Sequence, residues 1–220
     1  MELTLYELYQ KMLREMEPTG WWPAESKAEI IIGAFMIQNT TQANAERAVA
    51  NFRKYTAFDP DQIRALPLET MQEYVRPAGF FKNKSLAVAN FFAWLDEFAD
   101  DYDQIVQTFG TGLRKKLLSL RGVGPETADV LLIYIFDQVA FVSDKYARTL
   151  FGLLGVDGLK KYDDLARKVD MTGFTVADAQ EFHGLIDEYG KKWLHPQAAF
   201  YDSFLGGDQL KLEVSNQPTK

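Results

Sequence analysis

Leu120-Arg121-Gly122-Val123-Gly124-Pro125-Glu126-Thr127-Ala128-Asp129 is the stretch whose reading decides the fold. Two glycines one residue apart let the backbone turn sharply and pass close to a neighbour. Pro125 suits the first position of a helix, where its missing N–H costs nothing. The stretch therefore predicts helix, tight hairpin, helix. The free N–H groups opening the second helix form an anion site suited to a phosphate. Residues 111–125 hold Arg114, Lys115, Lys116 and Arg121 and no acid, so this window is +4 inside a chain of net charge −7. Taken alone, the two glycines also fit a plain interhelical turn beside a solvated charge run.

Outward from the hairpin the periodicity is helical almost everywhere. The apolar run 127–136 extends the second hairpin helix to about Phe136. Ser26-Lys27-Ala28-Glu29 reads as a capping box, Ser26 capping the first turn and Glu29 reaching back. Behind it Ile30, Ile31, Ile32, Ala34, Phe35, Met36 and Ile37 are apolar on all sides, which predicts a buried central helix. A helix near 41–54 carries Ala45, Val49 and Phe52 on one face. Asp59-Pro60 and Pro67 open short helices, and Arg76-Pro77-Ala78-Gly79 breaks the second. Further helices are predicted over 84–98, 101–109, 112–120, 145–154, 162–169, 176–189 and 191–204, with a cap signature at Thr175-Val176-Ala177-Asp178. Val139-Ala140-Phe141-Val142 is the one extended segment, and the residues from Gly206 read as a loose tail. The fold class is all-α.

Composition narrows the chemistry. The chain has 220 residues, 47 % apolar and 25 % charged, enough for a real core. It has no Cys, which excludes a disulfide framework, a thiolate zinc site, a Cys-held iron–sulfur cluster and a Cys nucleophile. Its two histidines, His183 and His195, make a His-rich metal site unexpected. The longest apolar run, 30–37, is far too short to span a membrane, and the N-terminus lacks the marks of a signal peptide. A soluble cytoplasmic protein with no membrane partner is the expectation. The net negative charge argues against a non-specific nucleic-acid coat.

The pattern Leu-x-Gly-Val-Gly-x-x-Thr-Ala, followed about fifteen residues later by Val142-Ser143-Asp144, resembles the helix-hairpin-helix (HhH-GPD) DNA glycosylases of the endonuclease III superfamily. Ile37-Gln38-Asn39-Thr40, Val75-Arg76-Pro77-Ala78-Gly79-Phe80-Phe81-Lys82-Asn83-Lys84 and Asp144-Lys145-Tyr146 with Arg148 match further segments in the same order. Gly20-Trp21-Trp22-Pro23 and Gly124-x-Glu126-x-Ala128-Asp129 place the likeness nearest the bacterial 3-methyladenine DNA glycosylase III branch, which also lacks an iron–sulfur cluster. The resemblance implies two helical lobes flanking a cleft. One is a six-helix barrel-like domain over 25–135, with the helix-hairpin-helix at about 112–136. The other joins 1–24 to 136–220, with 206–220 as its tail.

It also implies roles. Asp144 is the family's catalytic carboxylate, which stabilises an oxocarbenium-like sugar cation and orients water. Read from the residue alone, Asp144 equally fits the N-cap of the helix behind it. Bifunctional members carry a Schiff-base Lys where this chain has Glu126, so the resemblance implies a monofunctional enzyme. Glu126 also suits a first helical turn through the helix dipole. Trp21, Trp22, Pro23, Gln42 and Glu126 are the base-pocket candidates, the Trp pair equally fitting a core. Gln42 stands where relatives carry a Phe that stacks on the flipped base, a loss of roughly 1–3 kcal/mol per base. Gln38 matches the side chain that fills the gap in the duplex, or simply ends a buried helix. Lys115, Lys116, Arg121, Gly122, Val123, Gly124 and Lys145 are the remaining DNA-binding candidates. Backbone carbonyls of Leu118, Leu120 and Val123 match family ligands of a K⁺ or Na⁺ ion at the hairpin, and no other cofactor is implied. A late pocket Lys of the branch is not carried over to Lys211. The expected partner is double-stranded DNA with a damaged base, an alkylated purine by resemblance. The expected protein is a bacterial monomer, nucleoid-associated when bound. A bifunctional glycosylase/AP lyase and a non-catalytic helix-hairpin-helix DNA-binding protein are the alternatives.

Overall fold

The computed structural model describes residues 1–212. In chain order the helices are α1 (Leu5–Glu15), α2 (Lys27–Met36), α3 (Gln42–Thr56), α4 (Pro60–Arg64), α5 (Leu68–Val75), α6 (Phe81–Asp96), α7 (Tyr102–Phe109), α8 (Leu113–Leu118), α9 (Pro125–Tyr134), α10 (Lys145–Leu153), α11 (Tyr162–Ala166) and α12 (Val176–Trp193). Single 3-10 turns cover Arg76–Ala78, Gly110–Gly112 and Gln197–Asp202. The fold is all-α apart from a parallel pair of two-residue strands, β1 (Glu2–Leu3) and β2 (Gln209–Leu210). The chain forms two compact units, Ala24–Asp137 and Met1–Pro23 joined to the chain from Gln138 onward.

The continuous unit is built around α2. Its residues from Ala28 to Met36 are buried except Ile30, as an all-round apolar helix requires. Helices α3, α6 and α9 pack on it and supply Phe52, Val88, Phe91, Phe92, Leu131 and Ile133. Only half the expected capping box forms. The Ser26 hydroxyl accepts the Glu29 N–H at 3.2 Å, but the Glu29 carboxylate takes the Glu25 N–H at 3.0 Å and pairs with Arg53. The unit holds eight α-helices among its residues rather than six, because Pro60, Pro67 and the Gly110–Gly112 turn divide the chain into short pieces.

In the discontinuous unit α1 and α10 pack on α12 around Leu8, Tyr9, Met12, Leu150, Phe151, Phe182, Leu185 and Tyr189. The expected break near Gly190 is absent, and α12 runs on to Trp193. Gly190 serves packing instead, since a Cβ there would sit 2.3 Å from Cγ of Tyr146. Residues 206–212 are not a loose tail. The Lys211 N–H donates to the Leu3 carbonyl at 2.8 Å, and buried Asp208 pairs with Lys11 at 2.5 Å. Residues 213–220 of the expected tail lie outside the described residues. The segment 139–142 is irregular rather than a strand, with Phe141 and Val142 buried.

Candidate functional site

In the continuous unit the site begins with the hairpin joining α8 to α9. Gly122 has φ +79°, and a Cβ there would lie 2.4 Å from the Ala87 Cβ on α6. Conformation and close approach therefore both demand glycine. Gly124 has φ −89° and open space around it, and it is the N-cap of α9 with no side-chain cap bond. Pro125 occupies the first helical position, as its sequence context requires. Val123 is buried and donates its N–H to the Leu120 carbonyl at 3.2 Å.

The basic window divides by role. Arg114 makes a two-pronged pair with buried Asp129, at 2.7 and 2.9 Å, which ties α8 to α9. That charge belongs to the fold. Lys116 holds its ammonium 5.8 Å from the centroids of Trp94 and Phe109, over aromatic faces. Lys115, Leu118 and Arg121 are exposed. The Leu118 carbonyl lies at the end of α8, where backbone oxygens lack intrahelical partners, and the Leu120 carbonyl keeps a second lone pair beyond the Val123 N–H it accepts, so both are oxygen donors of the kind a monovalent cation takes. Among the described residues no cluster of His, Cys, Asp or Glu could hold a metal.

Gln38 is brought directly to the hairpin. Its amide donates to the Gly122 carbonyl at 3.1 Å and to the Thr127 hydroxyl at 2.8 Å. Glu126 is exposed in the first turn of α9. Gln42 opens α3 at the surface, its amide on the Glu46 carboxylate at 2.9 Å. Phe80 escaped the sequence reading. It is 67 % exposed in the left-handed region, φ +45°, directly after Gly79. The signal available was an aromatic residue beside a turn glycine in Pro77-Ala78-Gly79-Phe80.

In the discontinuous unit Asp144 is the N-cap of α10, its Oδ1 accepting the Ala147 N–H at 2.7 Å. The capping reading thus holds, and it fixes the carboxylate at the helix mouth. Ser143 before it is fully buried, its hydroxyl donating to the Tyr162 carbonyl at 2.8 Å and its carbonyl accepting from Arg148. Lys145 is the exposed first residue of α10. Tyr146 lies against Gly190, and burial raises its pKa, as does the Asp187 charge.

Trp21 and Trp22 meet edge to face at 5.0 Å, both half-buried, with Pro23 exposed beyond them. Their segment is pinned to α12. The Thr19 N–H donates to Glu181 at 2.6 Å, and a Cβ on Gly184 would lie 2.7 Å from that of Trp21. The Trp21 ring sits 5.8 Å from His183 and 5.2 Å from the Lys191 ammonium. Burial, helped by the Lys191 charge, pushes His183 down to about 4, so its imidazole is neutral at pH 7. Lys191 in turn bonds Asp187 at 2.5 Å and Glu188 at 2.9 Å. A groove of about 720 Å³ opens beside Trp21, lined also by Met16, Glu188, Lys192, Trp193 and Phe204.

Known proteins resemble this chain along most of its length. Residues 32–170 match the family model for the HhH-GPD superfamily base excision DNA repair protein. A protein of Methanocaldococcus jannaschii named as a DNA repair glycosylase is 33 % identical over 198 residues, 88 % of this chain and 90 % of its own. Endonuclease III of Sulfolobus acidocaldarius is 26 % identical over 188 residues, covering 84 % of this chain and 82 % of the relative. Among solved structures, H. pylori 3-methyladenine DNA glycosylase (MagIII) bound to 1,N6-ethenoadenine shares the fold, with TM-score 0.68, 24 % identity and coverage of 86 % and 98 %.

Proposed function

Because this chain belongs to the HhH-GPD superfamily of base excision DNA repair proteins, we propose that it is a monofunctional DNA glycosylase acting on a damaged base flipped out of duplex DNA. In this reading water adds to the sugar C1′ as the glycosidic bond breaks, and the free base leaves with a proton. Asp144 faces the positive charge that develops on the sugar and orients the attacking water. Its bond to the Ala147 N–H holds the carboxylate at the start of α10.

The observation that carries the monofunctional reading is the side chain at position 126. A carboxylate there forms no imine, whereas the amine of a bifunctional relative would. The Trp21–Trp22 edge supplies the flat walls a flipped purine needs, which supports an alkylated purine as substrate. Lys115 and Arg121 meet phosphates beside the open start of α9, and a K⁺ or Na⁺ ion there would take the carbonyls of Leu118, Leu120 and Val123. Gln38 and Phe80 stand ready to fill the space left in the duplex.

A panel of duplexes, each with one lesion, tests the reading by measuring released free base. We expect release from at least one alkylated-purine duplex, an abasic strand that breaks only after alkali, and no adduct with borohydride. A borohydride-trapped complex would overturn the monofunctional assignment. Tight duplex binding with no base released across the panel would leave only a DNA-binding protein.

A further inference from the structure

One buried cation lies outside this scheme. Lys84, near the start of α6, is only 4 % exposed. Its ammonium donates to the Met36 carbonyl at 2.7 Å and to the Ala78 carbonyl at 2.9 Å. No carboxylate pairs with it among the described residues, and burial alone pushes it down to about 8. Burying an ammonium in this way is costly. What offsets the cost is the pair of helix ends it faces. Met36 closes α2, and Ala78 closes the 3-10 turn Arg76–Ala78. A cation at a helix C-terminus gains from the dipole and from carbonyls that lack intrahelical partners.

The two carbonyls share a further property. Met36 stands two residues before Gln38, and Ala78 stands two residues before Phe80. One ammonium therefore ties together the two chain ends from which these side chains project. Beyond the first, Gln38 reaches the hairpin at Gly122 and Thr127. Beyond the second, the left-handed turn at Phe80 leaves its ring exposed.

We propose that Lys84 is a positioning residue that holds Gln38 and Phe80 in one fixed register, so that both enter the duplex together when a base is extruded. This inference rests on the glycosylase reading for its purpose, though not for its geometry. A neutral, donor-free side chain in its place would let the two turns move independently of each other.

Lys84→Met in the full chain tests this in two ways. Hydrogen exchange should accelerate about tenfold or more at residues 37–40 and 79–82 together, with α7 and the discontinuous unit unchanged. Discrimination between a duplex carrying an abasic-site analogue and an undamaged one should fall about tenfold. In double-mutant cycles, Lys84→Met should couple with Gln38→Ala and with Phe80→Ala by at least about threefold, and should combine independently with Lys115→Ala. A merely structural role would lower both duplex affinities equally and leave the cycles additive. Loosening of one turn alone, or additive cycles, would overturn the proposal. If Lys84→Met does not fold, Lys84→Gln, whose shorter amide keeps its N–H donors but not the charge, should show the same paired loosening and the same coupling at smaller size. A wild-type chain that releases no base from any lesion sinks the glycosylase reading, and the exchange arm still decides the clamp.

Discussion

Helices α9 and α10 begin in opposite ways. At α9 the N-cap is Gly124, with no side chain to occupy the free N–H groups. At α10 the N-cap is Asp144, whose own carboxylate takes the Ala147 N–H. A helix start without an anion is complementary to one supplied from outside, such as a phosphate. A helix start that carries its own anion is complementary to a cation, such as the sugar in the transition state. On the proposed function the same backbone feature serves binding in one unit and chemistry in the other, and the difference is one side chain.

Asp144→Asn sharpens this contrast with the largest expected effect. Asn is as good an N-cap as Asp, so the fold should keep its stability within about 1 kcal/mol. The charge facing the sugar disappears, and single-turnover base release should fall by about a thousandfold. Duplex affinity should hardly change. A variant that keeps a tenth of the rate would remove Asp144 from the chemistry.

The second effect concerns stability and belongs to the α12 region alone. The folded pKa of His183, about 4, lies below its unfolded value. Between about pH 6.5 and pH 4 the unfolded chain therefore takes up a proton that the folded chain refuses. Stability is full above that window and declines as pH falls through it. The loss attributable to His183 should reach roughly 3 kcal/mol. His183→Phe should flatten that part of the profile in denaturant titrations, and an unchanged slope would show that the imidazole protonates freely in place.

Gly124→Asp would rebuild α9 in the image of α10. A carboxylate at this N-cap should stabilise the helix by about 0.5 kcal/mol. It should also repel the phosphate that the open start attracts, lowering duplex affinity about tenfold at low salt. Unchanged affinity would break the comparison, because phosphate would then not use that helix start.

The two regions also differed in how far the sequence revealed them. The hairpin is local: Gly122, Gly124 and Pro125 act on their own backbone, and ten residues sufficed to read it. The caps at Asp59, Asp144 and Thr175 are local for the same reason. The setting of Trp21 is not. Its partners His183 and Lys191 lie more than 160 residues away, and no spacing rule links them. Gly190 misled because a glycine in a helical pattern reads as a stop, whereas its role is to admit the Tyr146 ring. The pairing of β1 with β2 joins two dipeptides from opposite ends of the chain, each too short to show alternation. Arg114 counted as one more surface charge because its partner Asp129, fifteen residues on, is matched through the turn of the hairpin rather than along one helix.

That last misreading yields the most discriminating test, with the smallest effect on binding. Arg114, Lys115 and Arg121 contribute equally to the sequence charge of the hairpin, but the structure separates them. Lys115 and Arg121 are exposed, and each that meets a phosphate displaces one counterion. Lys115→Ala or Arg121→Ala should therefore reduce the slope of log affinity against log salt by about 0.9, with a modest loss of affinity at moderate salt. Arg114 is already neutralised by buried Asp129. Arg114→Met should leave the salt slope alone and instead lower stability by about 2 kcal/mol, because it removes the opposite charge beside a buried carboxylate. The Arg114→Met, Asp129→Asn double variant should recover part of that loss by removing the buried negative charge as well. Equal slope changes for all three single variants would place Arg114 on the DNA. No change for Lys115→Ala and Arg121→Ala would reduce the hairpin's exposed charge to a solvated face.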